Sequence, residues 1–119
     1  MNDDNISKTS WAWRNLTGLD RDWTPTMRIR TVTASGNVNP LDSLIRVDAT
    51  GGAVTLTLET AVGCDGRMHS FKLIDASANG MTADGNGSET IDGAATKSTT
   101  TQYASFTLVS NGVSWDVVT

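Results

Sequence analysis

Val54-Thr55-Leu56-Thr57-Leu58-Glu59 is the stretch that decides the fold class. In an extended chain Val54, Leu56 and Leu58 share one side and Thr55, Thr57 and Glu59 the other, the period of a half-buried strand and not of a helix. Gly51-Gly52 before it and Val62-Gly63-Cys64-Asp65-Gly66 after it supply turns. Working outward, Met27-Ile29-Thr31-Thr33 alternates with Arg28-Arg30-Val32-Ala34, which predicts a strand with one apolar and one charged face. Leu44-Ile45-Arg46-Val47 and His69-Ser70-Phe71-Lys72-Leu73-Ile74-Asp75 read as two more strands, the latter burying Phe71 and Leu73. Between residues 76 and 102 repeated Asn-Gly and Asp-Gly steps predict short β segments joined by tight turns. Tyr103 to Val109 restores a strand pattern, Asn111-Gly112 signals a hairpin, and Trp115 alternates with Val113 and Val117 as a core position. No segment reads convincingly as a helix. The expected fold is all-β: a compact antiparallel β-sandwich or barrel-like body of short strands over residues 27–119, trimeric, with an extended N-terminal arm over residues 1–26.

That arm differs from the body in composition. Lys8, Arg14 and Arg21 stand against Asp3, Asp4, Asp20 and Asp22, a balance of -1, yet three of the four tryptophans lie here. Trp11 and Trp13 share one side of an extended segment, whereas in a helix they would diverge. Gly18 interrupts a helix, and Pro25 disfavours helical geometry at Thr24. Exposed tryptophans are a solubility liability, so they require burial on their own body, between subunits or on a larger particle. Trp11, Trp13, Leu16, Leu19 and Trp23 are the apolar anchor residues of this reading, and Arg14 and Arg21 align the arm against carboxylates.

The 119 residues suffice for one domain and exclude a multidomain enzyme. Only 18% are charged and the net charge is -4, so neutral polar groups carry solubility and no basic groove is offered to nucleic acid. The first ten residues have neither the basic start nor the apolar centre of a signal peptide, and no apolar run is long enough to span a membrane. Synthesis in a reducing cytoplasm is expected, with the lone Cys64 as a thiol at a turn.

Each chemical motif has a plainer reading. Asp84-x-Asn86-x-Ser88 begins like a calcium loop, but the twelfth position is Ala95 and flanking helices are not expected, so Asp84, Asn86, Ser88, Glu89 and Asp92 read as turn residues. Cys64 and His69 form a single pair with no second pair to complete a zinc site. Ser70 and His69, adjacent in a strand, point to opposite faces, so a triad with Asp65 or Asp75 does not assemble. Glu59, Asp75, Glu89 and Asp92 could act on a glycosidic bond only if the fold paired them. No catalytic residue, metal or cofactor is therefore expected. Polar turns at Asn37, Asn39, Asp42, Asn79, Asn86 and Asn111, with Trp115 if exposed, form the alternative of a glycan-binding surface.

Five stretches carry a resemblance: Thr31-Val32-Thr33-Ala34-Ser35-Gly36, residues 48–58, residues 66–75, residues 84–93, and Leu108-Val109-Ser110-Asn111-Gly112-Val113-Ser114-Trp115. In this order they resemble the β-rich domain of tailed-bacteriophage structural proteins, found at tail-fibre ends and in small capsid-surface or head-fibre proteins. Glu59 stands where such domains often carry Pro, and Ala95-Thr96-Lys97-Ser98-Thr99 is more polar than their usual alternation. The resemblance implies a homotrimer, no catalytic residues, and a place on the virion surface with the major capsid protein or another virion protein as partner. A 26-residue arm spans at most about 90 Å, too short for a fibre shaft but long enough to reach across a capsid. Capsid decoration, cement or head fibre is thus the expected role. The alternative is a tail-fibre or baseplate adhesin that binds a host surface glycan.

Overall fold

The computed structural model describes residues 27–119. Within them the chain forms nine strands: β1 (Ile29–Val32), β2 (Gly36–Asn37), β3 (Leu44–Val47), β4 (Val54–Thr57), β5 (Met68–Leu73), β6 (Met81–Asp84), β7 (Thr96–Thr99), β8 (Ser105–Ser110) and β9 (Trp115–Val117), with no helix among the described residues. They assemble into a five-stranded sheet in the order β1-β3-β5-β8-β9 and a four-stranded sheet in the order β2-β4-β6-β7.

From β1 to β6 successive strands alternate between the sheets, so each circuit of the chain adds one strand to each. Because every circuit runs the same way, β1, β3 and β5 are parallel to one another, as are β2, β4 and β6. Parallel neighbours need a crossover, and here the strand in the opposite sheet fills the place that a helix takes in a βαβ unit. After β6 the chain reverses: β7 lies antiparallel on β6, β8 antiparallel on β5, and β9 antiparallel on β8. The all-β expectation therefore stands in its coarse form, while the expected antiparallel arrangement is corrected to two mixed sheets. Hairpin signals misled that reading, since strands adjacent in sequence mostly pair with strands one circuit away.

The sheets share one core. Val32, Ile45, Val47, Phe71, Leu73, Phe106, Leu108 and Trp115 from the first meet Val54, Leu56, Leu58, Met81 and Ala83 from the second. Phe71 and Phe106, cross-strand partners, stack with ring centroids 5.3 Å apart. Gly80 and Gly85 are required by close approach. A Cβ on Gly80 would lie 2.8 Å from Thr99 O, at a φ of +82°, and one on Gly85 would lie 2.2 Å from Glu89 O.

One strand faces opposite to expectation. Arg30 and Val32 take the inward side of β1 while Ile29 is 58% exposed. Arg30 closes that end of the core: its guanidinium donates to both oxygens of buried Asp42, at 2.7 Å for the shortest contact, and to Asn37 O. At the other end Lys97, on the inward side of edge strand β7, places Nζ 5.8 Å from the Phe106 ring centroid. Inward cations at sheet ends discourage further strand pairing, which accounts for the polar Ala95–Thr99 stretch.

Candidate functional site

Residues Trp11, Trp13, Arg14, Leu16, Leu19, Arg21 and Trp23, the anchor candidates, lie outside the described residues. The described body offers three places to weigh: a buried polar network, and the outer face of each sheet.

The network is centred on His69, which is fully buried beneath the Trp115 ring at a centroid separation of 5.5 Å. Its Nδ1 meets Asp42 O at 2.6 Å and its Nε2 meets Glu59 Oε1 at 2.9 Å. A carbonyl only accepts, so the contact with Asp42 O requires a hydrogen on Nδ1, and Nε2 faces the Glu59 carboxylate. Arg67 Nη1 donates to the other side of Glu59 at 3.1 Å. Both imidazole nitrogens are thus engaged, which removes His69 from base chemistry and from ligation with Cys64, whose thiol donates to Thr60 O at 3.2 Å. Asp42 ties the network to β1. Burial alone would push its carboxyl up, but hydrogen bonds from Arg30 and Asn39 N–H, with the charges of Arg30 and Arg28, together hold it below its ordinary value.

The other carboxylates are engaged in hydrogen bonds within the fold. Glu89 accepts from Ala61 N–H at 2.8 Å and from the Thr60 hydroxyl, Asp92 from Val117 N–H, and Asp75 from the Ser77 hydroxyl and from Ala49 N–H at 2.7 Å. The Ser77 hydroxyl, then the Ala49 N–H, lowers the Asp75 carboxyl from its usual range. Asp75 belongs to the turn between β5 and β6, whereas Glu59 and Glu89 lie in the longer loops of the opposite edge. Around the suspected calcium loop, Asn86 donates to Leu58 O, and no group of three metal-ligating side chains forms among the described residues. Ser70 faces outward to Thr107 at 2.8 Å, away from His69, as the strand parity required.

The two outer faces differ sharply. On the four-stranded sheet the register lines up Asn37, Thr57, Asp84 and Thr96 in one row and Thr55, Thr82 and Ser98 in the next, a neutral hydroxyl-rich surface with one carboxylate. At its end Asn37, Val38, Thr57, Leu58, Glu59 and Asn86 line a cleft of about 260 Å³. On the five-stranded sheet the outer positions include the apolar Ile29, Leu44, Met68 and Val109, the hydroxyls of Thr31, Ser70, Ser105 and Thr107, the exposed carboxylate of Asp116 beside Val109, and Val118, whose N–H donates to Thr107 O. Arg46 and Lys72 lie directly opposite each other on that same face, and no carboxylate among the described residues comes within 4 Å of either.

No family model matches the chain, and no curated protein does either. The outer faces were only half visible in the sequence. Period two separates inward from outward residues, but it cannot say which strands become neighbours. The apolar group on the five-stranded sheet exists because β1, β3, β5 and β8 are adjacent in space. The His69 network was hidden for a related reason: Asp42 reads as a turn residue, and nothing local in the sequence shows that its carbonyl faces a histidine 27 positions away.

Proposed function

We propose that this chain is a structural subunit of a tailed-phage virion, a capsid decoration or head-fibre protein that assembles as a homotrimer and is held through Trp11, Trp13, Leu16, Leu19 and Trp23. The observation that carries the reading is the inequality of the two sheet faces. One presents five apolar side chains, Ile29, Leu44, Met68, Val109 and Val118, beside the cations Arg46 and Lys72, with hydroxyls and Asp116 among them, and the other presents neutral polar groups and a carboxylate with no apolar side chain in its outer rows. The resemblance of residues 31–118 to phage structural domains supports it, as does the use of Asp42, Glu59, Asp75, Glu89 and Asp92 as hydrogen-bond acceptors within the fold.

The test is cosedimentation of the full chain with capsids that lack their own copy of the protein. Wild type binds, and the variant W11A/W13A/W23A fails to bind while its β body melts as wild type does. Unchanged cosedimentation of the variant would reject the arm as anchor. The adhesin reading is favoured by the cleft between Asn37 and Asn86 on the hydroxyl-rich face. Saturable binding to host cells without capsid binding would select it over decoration.

A further inference from the structure

We propose that Asn86 is a self-modifying position, at which the Gly87 main-chain nitrogen attacks the side-chain amide, expels ammonia and, after hydrolysis, leaves a carboxylate on the cleft that Glu59 lines. The inference stands apart from the virion reading and holds whatever the protein assembles with.

Asn79, Asn86 and Asn111 each precede a glycine, so the unfolded chain offers the same reaction at each of them. Attack by the following main-chain nitrogen closes a small ring, and glycine, with no Cβ, obstructs that approach least. The fold then treats the three positions differently. At Asn111 the amide is fixed from both ends: Oδ1 accepts from Val113 N–H and Ser114 N–H, and Nδ2 donates to Ser114 Oγ and Asp116 Oδ1. The nitrogen that would attack it is engaged as well, since Gly112 N–H donates to Ser110 Oγ at 3.1 Å. At Asn79 the Nδ2 donates to Ala49 O at 2.8 Å and to Thr50 O. Gly80 is buried there, so close to its neighbour that a Cβ would lie 2.8 Å from Thr99 O. Ring closure at Asn79 must displace packed backbone.

Asn86 has neither clamp. Asn86, Gly87 and Ser88 are all exposed. Gly87, at a φ of +58°, is the first central residue of a turn closed by Glu89 N–H donating to Asn86 O at 2.9 Å. A Cβ on Gly87 would meet nothing within 4 Å, and Gly87 N–H has no main-chain partner among the described residues. The Asn86 amide is tethered by one contact, Nδ2 to Leu58 O at 3.2 Å. Once that contact opens, the side chain can turn toward an unengaged nitrogen with free space around it.

The chemistry balances with water as the only co-reactant. The Gly87 nitrogen bonds to Asn86 Cγ and gives up its proton through water; the Cγ–Nδ2 bond breaks, and Nδ2 takes up a proton and leaves as ammonia. Water then opens the resulting succinimide at either of its carbonyls, giving aspartate or isoaspartate. Either product has a carboxylate where an amide stood. It no longer donates to Leu58 O, and it adds a second negative charge to the cleft that Glu59 shares. In the isoaspartate the main chain is also lengthened next to Gly85, where a Cβ would already lie 2.2 Å from Glu89 O. The modification therefore loosens the 85–95 loop as it recharges the cleft.

The experiment incubates the full chain in mildly alkaline buffer, folded and in concentrated guanidinium, and follows the peptides bearing the three asparagines by mass. In guanidinium all three should convert at comparable rates, because each is followed by glycine. In the folded chain Asn86 should acquire the amide-to-carboxyl mass change severalfold faster than Asn79 or Asn111. Asn86→Gln, whose longer side chain closes the ring poorly, should abolish that fast phase. Aged wild type and fresh Asn86→Asp should both focus at a more acidic pH and melt at a lower temperature than fresh wild type. Equal rates at the three positions in the folded chain, faster conversion at Asn79 or Asn111, or an Asn86 that stays intact when folded would each overturn the inference. Aged protein that carries the change yet melts as fresh protein does would overturn its consequence for the loop.

Discussion

The contacts of His69 fix its chemistry. Nδ1 lies against a main-chain carbonyl, which only accepts, so that contact requires the ring hydrogen on Nδ1, while Nε2 lies against the Glu59 carboxylate. Nitrogen NMR of the ring should therefore show a hydrogen on Nδ1, and a spectrum of the Nε2-only tautomer would contradict the network. Glu59→Ala leaves a buried nitrogen without a partner and should lower stability by about 1–3 kcal/mol. Glu59→Gln, which can still donate to Nε2, should cost less, and urea titration of both variants measures the difference. Two carboxyls set the acid limit. Asp42 and Asp75 are both lowered in the folded protein from a value of 3.8, so each binds protons more readily in the unfolded chain. Their stabilisation is complete above that unfolded value and is lost as pH falls below it, through the depressed folded values. Thermal melts between neutral and strongly acid pH should show this loss, and Asp75→Asn should flatten its share of it.

At the scale of elements, a strand is legible in the sequence and its neighbours are not. Alternation identified β3, β4, β5 and β8 and placed Phe71, Leu73 and Trp115 in the core, because side-chain parity is a property of a single strand. Asn111-Gly112 announced the β8–β9 hairpin for the same local reason, with Gly112 at a φ of +93°. Pairing partners are set by the circuit of the chain, which leaves no mark on any one strand, and so the parallel pairs were read as antiparallel. β1 shows how a tertiary contact overrides alternation: the Arg30 ion pair with Asp42 turns its cation inward and leaves Ile29 outside. Among the loops, 85–95 is held most tightly where Gly85 approaches Glu89 and donates to Ala95 O at 3.0 Å. A methyl group on Gly85 cannot be housed without moving backbone. Gly85→Ala should cost about 1–3 kcal/mol, read as a shifted denaturation midpoint at an unchanged slope. An unaltered midpoint would mean the loop yields freely.

For the molecule as a whole, the order of assembly follows from the circuits. Ile45 finds Phe71, and Phe71 finds Phe106, so the core closes only through contacts distant in sequence. Such topologies pay loop-closure entropy before burial returns it, and refolding on a timescale of about milliseconds to seconds is the expectation. The circuits are also unequal in what they contribute. The first two complete one end of the core, where Arg30 and Asp42 seal it, but β5 and β6 bury Phe71, Leu73, Met81 and Ala83 against strands that come only after the reversal. Without β7, β8 and β9 those side chains lose Phe106, Leu108 and Trp115, and both sheets are left with a bare inner edge strand. Stacked β circuits need a closing element of this kind, because each unit is stabilised chiefly by its neighbours. A chain ending at Ala95 should therefore show no cooperative urea transition and should aggregate through β5 and β6, whereas the full chain unfolds in one step. A cooperative transition in the shortened chain, followed by circular dichroism, would show that the parallel circuits are self-sufficient and that the reversed circuit serves a purpose other than closing the core.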